Sequence, residues 1–182
     1  MSLLRTERLT KHFGETRAVD GVDFSVNEGE FLSLVGTNGA GKTTLVNLIS
    51  AFLAPDSGRI FIAGRDITYA PVDERIRAGI ARSFQLVNLF DDLSVLDNVA
   101  LAIFAREGKT KRIFALAERD TAVTQEATEL LGQFGLAAKA QGLAGGLAQG
   151  ERKLLDVAVA YALRPKLLFL DEPTSGVSTR DK

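Results

Sequence analysis

The sequence contains no cysteine. That excludes a disulfide framework and a thiolate metal site, and it suits a reducing compartment such as the cytoplasm. An excess of one charge is missing as well: 22 Lys and Arg stand against 23 Asp and Glu, a net charge of −1. No overall field selects nucleic acid or acidic lipid as a partner, so any anion site has to be local. Long apolar runs are also lacking. Residues 1–11 alternate charged with apolar side chains, unlike a secretion signal. Stretches such as residues 167–170 fall far short of the roughly 20 apolar residues that a membrane-spanning helix needs. A membrane, if the protein serves one, is reached through a partner. Histidine occurs once, as His12, and neither an internal repeat nor a low-complexity tract is present. What is there is a chain of 182 residues, 46% hydrophobic and 25% charged, enough to bury most of its apolar surface in one domain.

Residues 4–13 and 19–26 mix apolar with polar residues around Gly14-Glu15-Thr16 and read as two antiparallel strands. Gly29 turns the chain into Phe31-Leu32-Ser33-Leu34-Val35, which predicts a strand of the buried kind. A helix is expected from Lys42 to Phe52, with Leu45, Leu48, Ile49 and Phe52 at helical spacing. Pro55-Asp56-Ser57-Gly58 then turns into a strand over residues 59–63. From about residue 72 to 163 the pattern is mainly helical, best over 95–105, 121–134 and 151–163, which predicts a helical subdomain within a single domain spanning 1–182. Residues 106–119, charged and glycine-containing, read as a solvated loop or frayed helix end. A last apolar strand over 167–170 ends on two acids, Asp171 and Glu172.

Two segments carry chemistry. Gly36-Thr37-Asn38-Gly39-Ala40-Gly41-Lys42-Thr43, with Thr44 after it, fits the phosphate-loop pattern G-x-x-x-x-G-K-[ST] between a predicted strand and a predicted helix. Glycines let backbone N–H groups converge on phosphate oxygens and the helix start adds the positive end of its dipole. Lys42 reaches the β- and γ-phosphates, and the Thr43 hydroxyl ligates Mg²⁺. The second segment places Asp171 and Glu172 at a strand end, where open α/β sheets hold ligands. Asp171 suits the Mg²⁺ shell, and Glu172 suits general-base activation of water.

With these residues in family order from Phe13 to Ser178, the chain resembles the ABC-type ATPases, and within them the ATP-binding subunits of importers for branched-chain amino acids and related polar solutes. The resemblance implies an α/β P-loop fold, a mixed β core with an N-terminal antiparallel portion plus the helical subdomain. It implies that Phe13 stacks on adenine with Val19 flanking the base, and that Gln85 touches Mg²⁺ and the attacking water. Residues 86–90 could line a groove for a partner helix or simply pack in the core. Two frames compete for the signature that completes the ATP site of an opposite subunit, residues 143–147 and Leu147-Ala148-Gln149-Gly150-Glu151. The second abuts an amphipathic helix and is preferred, although Ala148 replaces the usual serine and removes a hydroxyl donor.

The implied partners are a second ATPase subunit, identical or different, and integral-membrane permeases, with no direct nucleic acid. The implied location is the cytoplasmic face of the cell membrane and the implied cofactors are ATP with Mg²⁺. Two departures stand out. Ser178 occupies the place of an aspartate that crosses the dimer, and the chain stops before the switch histidine, so the isolated chain is expected to bind ATP better than it hydrolyses it. Rival expectations are a soluble ABC ATPase acting on nucleic acid or the ribosome, and an ATP-binding module without turnover.

Overall fold

The computed structural model describes residues 2–83, 89–108 and 120–170. They fall into two compact units, Met1–Ile80 and Ala81–Lys182, each described here by itself.

In the first unit the expected hairpin forms, longer than the pattern suggested: β1 (Ser2–Phe13) pairs antiparallel with β2 (Thr16–Asn27), from Ser2 opposite Asn27 to Phe13 opposite Thr16. Gly14 makes the turn at φ 60°, a left-handed conformation that glycine adopts without the clash of a Cβ. On its other edge β1 pairs with β3 (Ser57–Ile62), and a two-residue strand β4 (Arg65–Asp66) completes the order β2-β1-β3-β4. Leu4, Thr6, Leu9, Ile60 and Ile62 are buried. Leu4 and Thr6 share one phase of the strand alternation while Leu9 lies on the other. The register of β1 shifts against both neighbours in this stretch, between Thr6 and Leu9 towards β2 and between Glu7 and Thr10 towards β3. One extra residue returns the apolar set to the core face.

α1 (Lys42–Ile49) buries Leu45, Leu48 and Ile49, the spacing that periodicity predicts. It stops before the expected Phe52, because Ala51 takes φ 65° and breaks the helical run. α2 (Val72–Arg77) follows β4, and its buried residue is not its isoleucine but Arg75.

Residues 31–35 overturn an expectation. They lie outside any strand, with Phe31 93% and Val35 90% exposed. Apolarity predicts burial, but a strand also needs a neighbour for its N–H and C=O groups. Among the described residues no strand pairs with this stretch.

The second unit is chiefly helical. α3 (Val95–Arg106), α4 (Thr121–Gln133) and α5 (Gln149–Ala162) form its core through Val95, Val99, Ile103, Val123, Leu131 and Leu155. α3 begins at Ser94, whose Oγ accepts the Asp97 N–H at 3.0 Å. α4 begins at Asp120, whose carboxylate accepts from Ala122 and Val123. Both caps satisfy amides that a helix start leaves without partners. A two-stranded sheet joins β5 (Ile80–Arg82), which sequence reading missed inside a mainly helical stretch, to β6 (Leu167–Phe169).

Arg106 fits the helix-end alternative to a solvated loop for residues 106–119, but it is not left to solvent. It is the last residue of α3, and its guanidinium makes two 2.8 Å bonds to the Glu126 carboxylate and one of 2.9 Å to the Ala162 carbonyl. With Arg164 adding a third bond at 2.9 Å, Glu126 is held down from 4.5 to about 2, chiefly by Arg106. This network staples the ends of α3 and α5 to α4.

Candidate nucleotide site

The phosphate-loop residues Gly36, Thr37, Asn38, Gly39 and Ala40 are open to solvent, and the chain enters α1 through Gly41. Gly41 is forced to be glycine twice over. Its φ is 80°, and a Cβ there would lie 2.0 Å from the Ala18 carbonyl oxygen, far inside any tolerable contact. The same close approach brings the Val19 side chain against the loop, 3.8 Å from that Cβ position. Val19, which the resemblance sets beside the base, is buried here against the loop.

At the start of α1 the first amides have no intrahelical acceptor; the ladder begins where Leu45 donates to Gly41 at 2.8 Å. The first turn carries no acid. Lys42 turns its ammonium back over the loop and donates to the Gly36 and Thr37 carbonyls at 2.5 and 2.8 Å. A cation, a set of free N–H groups and a helix dipole thus point at one place, the arrangement that receives an oxyanion. Thr43 and Thr44 follow in the first turn, Thr43 exposed.

Phe13 stands at the hairpin end, about half exposed, with the Lys11 ammonium 5.7 Å from its ring centre. Asp56 fixes that end: it accepts the His12 N–H and the Lys11 ammonium, both at 2.7 Å. Those two donors, the backbone one first, hold its carboxyl below the ordinary range.

Sequence reasoning missed Arg75. It is 2% exposed, and it donates to the carbonyls of Leu48 and Ile49 at the end of α1, of Thr68 and of Ala70. Among the described residues no carboxylate answers it, and burial lowers its guanidinium to about 10, still charged at neutral pH. It caps the carbonyl end of the phosphate-loop helix from α2. No local signal marks it, since Arg75 stands in the charged run Asp73-Glu74-Arg75-Ile76-Arg77.

In the second unit the two candidate signature frames separate cleanly. Ala144, Gly145, Gly146 and Leu147 spend their N–H groups on Leu93, Asp91, Leu143 and Ala144, and a Cβ on Gly145 would press on the Asp91 carbonyl at 3.2 Å. That frame is a structural turn. Leu147-Ala148-Gln149-Gly150-Glu151 instead runs into α5 with Ala148 at the cap position and Arg152 donating to Ala148 at 2.9 Å, so the amides of Gln149 and Gly150 lie ahead of the helical ladder. Glu151 is differently employed: its carboxylate accepts the Ala148 N–H at 3.0 Å and the Lys139 ammonium. Lys139 first, then that amide, lower its pKa. Leu89 packs against the helical core while Phe90 is exposed. Gln85, Asp171, Glu172 and Ser178, with residues 86–88, lie outside the described residues.

Residues 19–175 match the ABC transporter family. The chain belongs to that family. As an ABC ATP-binding subunit it is of the ATP-hydrolysing kind, and its fold is the ABC-type P-loop α/β fold. A probable branched-chain amino acid transport ATP-binding protein of Methanocaldococcus jannaschii is 35% identical over 98% of this chain and 70% of its own length. A methionine import ATP-binding protein of Rhizobium etli is 41% identical over 96% of this chain and 46% of its own length. Among solved structures, a nucleotide-free ATP-binding cassette from an ABC transporter superposes with a TM-score of 0.80 at 34% identity, over 98% of this chain and 72% of that one. Among the described residues no helix is long and apolar enough to cross a membrane.

Proposed function

We propose that the chain powers an ABC importer for branched-chain amino acids or similar polar solutes by binding and hydrolysing ATP at the loop of residues 36–44. The observation that carries this reading is the open loop running into α1, with acid-free first-turn amides and the Lys42 ammonium resting on the Gly36 and Thr37 carbonyls. On ATP binding Lys42 exchanges those carbonyls for β- and γ-phosphate oxygens. The amides of residues 39–44 take the remaining phosphate oxygens, and Phe13 and Val19 receive the base.

Mg²⁺ fits the donors in view, since the Thr43 hydroxyl opens the first turn directly after Lys42; Asp171 and Gln85 complete the set proposed from sequence. When bound, the ion supplies positive charge to the bridging phosphates. Glu172 takes the proton of the attacking water, and Gln85 orients it. The α5 start of a second copy, Leu147 to Gly150, closes over the γ-phosphate through backbone amides, since Ala148 brings no hydroxyl. Glu151 belongs to this set as the residue that shapes the turn. ATP thereby joins two subunits head to tail, and hydrolysis releases them to drive a permease on the cytoplasmic face of the membrane. The mainly helical stretch of about residues 72–163 serves as its helical subdomain, with Phe90 in the partner groove.

The test is light scattering of Glu172→Gln with Mg-ATP. A dimer is expected that Lys42→Ala abolishes; an ATP-loaded monomer sinks the shared-site reading. The solute class is supported by the match to the archaeal branched-chain relative over most of its length. Methionine is the second reading, favoured by the higher identity of the importer subunit from Rhizobium etli. Competition between leucine and methionine for ATP-dependent uptake, with the cognate permease, decides between them.

A further inference from the structure

Away from the nucleotide loop, the double register shift in β1 opens a surface groove of about 700 Å³ lined by Glu7, Arg8, Thr10, Gly21, Ser57, Gly58 and Arg59. The change of apolar phase between Thr6 and Leu9 explains why an extra residue is present. It does not explain why that residue is arginine. Arg8 adopts φ 43°, a conformation that is strained for a residue with a Cβ and that glycine or asparagine occupies readily.

The surroundings hold it there. Its N–H donates to Asp23 at 2.8 Å, and its carbonyl accepts the Thr10 hydroxyl at 3.2 Å. Gly58 packs so close that a Cβ would lie 2.4 Å from the Arg8 oxygen. Backbone strain maintained around a charged side chain at the rim of a cavity points to use of that side chain.

The charges of the groove agree. Glu7 is engaged by the Arg5 guanidinium, and Asp23 by the Arg8 amide. Arg59, on the neighbouring strand, acts on Asp66 only through space. Among the described residues neither the Arg8 nor the Arg59 guanidinium has an ion-pair partner, and Ser57 lines the same groove.

We propose that this groove is a second anion site, separate from the ATP loop, which takes a phosphate group between the forks of Arg8 and Arg59 with Ser57 as a hydroxyl donor. Planar guanidinium forks match tetrahedral oxyanions in bidentate fashion. The phosphate can come from a soluble phosphate ester or from the headgroup of an anionic phospholipid.

The 182-residue chain carrying Lys42→Ala, which removes the ammonium of the ATP loop, is titrated with inorganic phosphate while nitrogen-15 amide shifts of Arg8, Ser57 and Gly58 are followed. In parallel it is sedimented with phosphatidylglycerol vesicles. Saturable shifts are expected. Adding Arg8→Gly with Arg59→Gln should weaken the binding by about tenfold or more and leave the thermal midpoint unchanged or higher, because glycine relieves the φ of residue 8. Sedimentation that the double change abolishes identifies a lipid headgroup as the source, and phosphate shifts without sedimentation identify a soluble ester. Amides unmoved by both probes, binding equal to the parent after the double change, or a lowered midpoint would each overturn the proposal.

Discussion

The starts of α1 and α5 are both helix N-termini preceded by glycine-containing turns, yet they are built for different tasks. α1 enters through a left-handed Gly41, has no acid in its first turn and sets Lys42 beside its free amides. α5 enters through an extended Ala148 and carries Glu151 in its first turn, already bonded to the Ala148 N–H and to Lys139. A helix dipole alone is worth only about 0.3–1 kcal/mol to an exposed anion. The bare, cation-assisted start can hold a phosphate by itself. The start that bears its own carboxylate can only add to a grip made elsewhere, and that is the division of labour expected when one subunit binds ATP and a second one covers it.

The comparison can be broken most severely at Gly41. Gly41→Ala places a methyl on the Ala18 carbonyl at a φ that disfavours it, and a loss of about 3–5 kcal/mol is expected, together with loss of nucleotide binding, by chemical denaturation and a fluorescent ATP analogue. The opposite end of the same helix comes next. Arg75→Met removes the donor for four carbonyls and should cost about 3 kcal/mol, read as a lower denaturation midpoint with an unchanged slope.

Lys42→Ala separates binding from folding: about 10- to 100-fold weaker ATP affinity is expected in calorimetry, with a denaturation midpoint close to that of the parent, because the ammonium bonds only an exposed loop. On the α5 side the expected effects are smaller. Glu126, held at about 2 in the folded chain against 4.5, stabilises the unit above the unfolded value, and that contribution fades as pH falls from 4.5 towards 2. Glu126→Gln should flatten the pH dependence of stability in that window and leave it unaltered above. Smallest is Glu151→Ala, about 0.5–1 kcal/mol through loss of the bond its carboxylate makes to the Ala148 N–H. Equal losses of ATP affinity for Lys42→Ala and Glu151→Ala in the monomer would erase the distinction between the two starts.

The legible parts of the fold share one property: their signals are local. The hairpin around Gly14, the apolar spacing of Leu45, Leu48 and Ile49, and the helices α3 to α5 are written in periods that a strand or helix enforces by itself. Residues 31–35 were misread because apolarity does not name a pairing partner. Arg75 was missed because burial of a guanidinium depends on carbonyls contributed by residues 48, 49, 68 and 70, which no periodicity brings together. The candidate site divides the same way. The phosphate loop was proposed from glycine positions and a lysine at fixed spacing, and the open turn and the helix starting at Lys42 agree with it; the preference for residues 147–151 over 143–147 is supported by where the turn spends its amides, which lettering cannot display. The β1 bulge was invisible because only the phase change between Thr6 and Leu9 announces it.

Arg75 has a mechanical consequence. Because one side chain of α2 grips the last carbonyls of α1 and the Thr68–Ala70 bend together, α1 cannot slide or tilt at its far end without dragging α2 along. A push delivered at Gly41 would reach α2 through that clamp, two residues before α2 ends, instead of being absorbed as slack in the turn after α1.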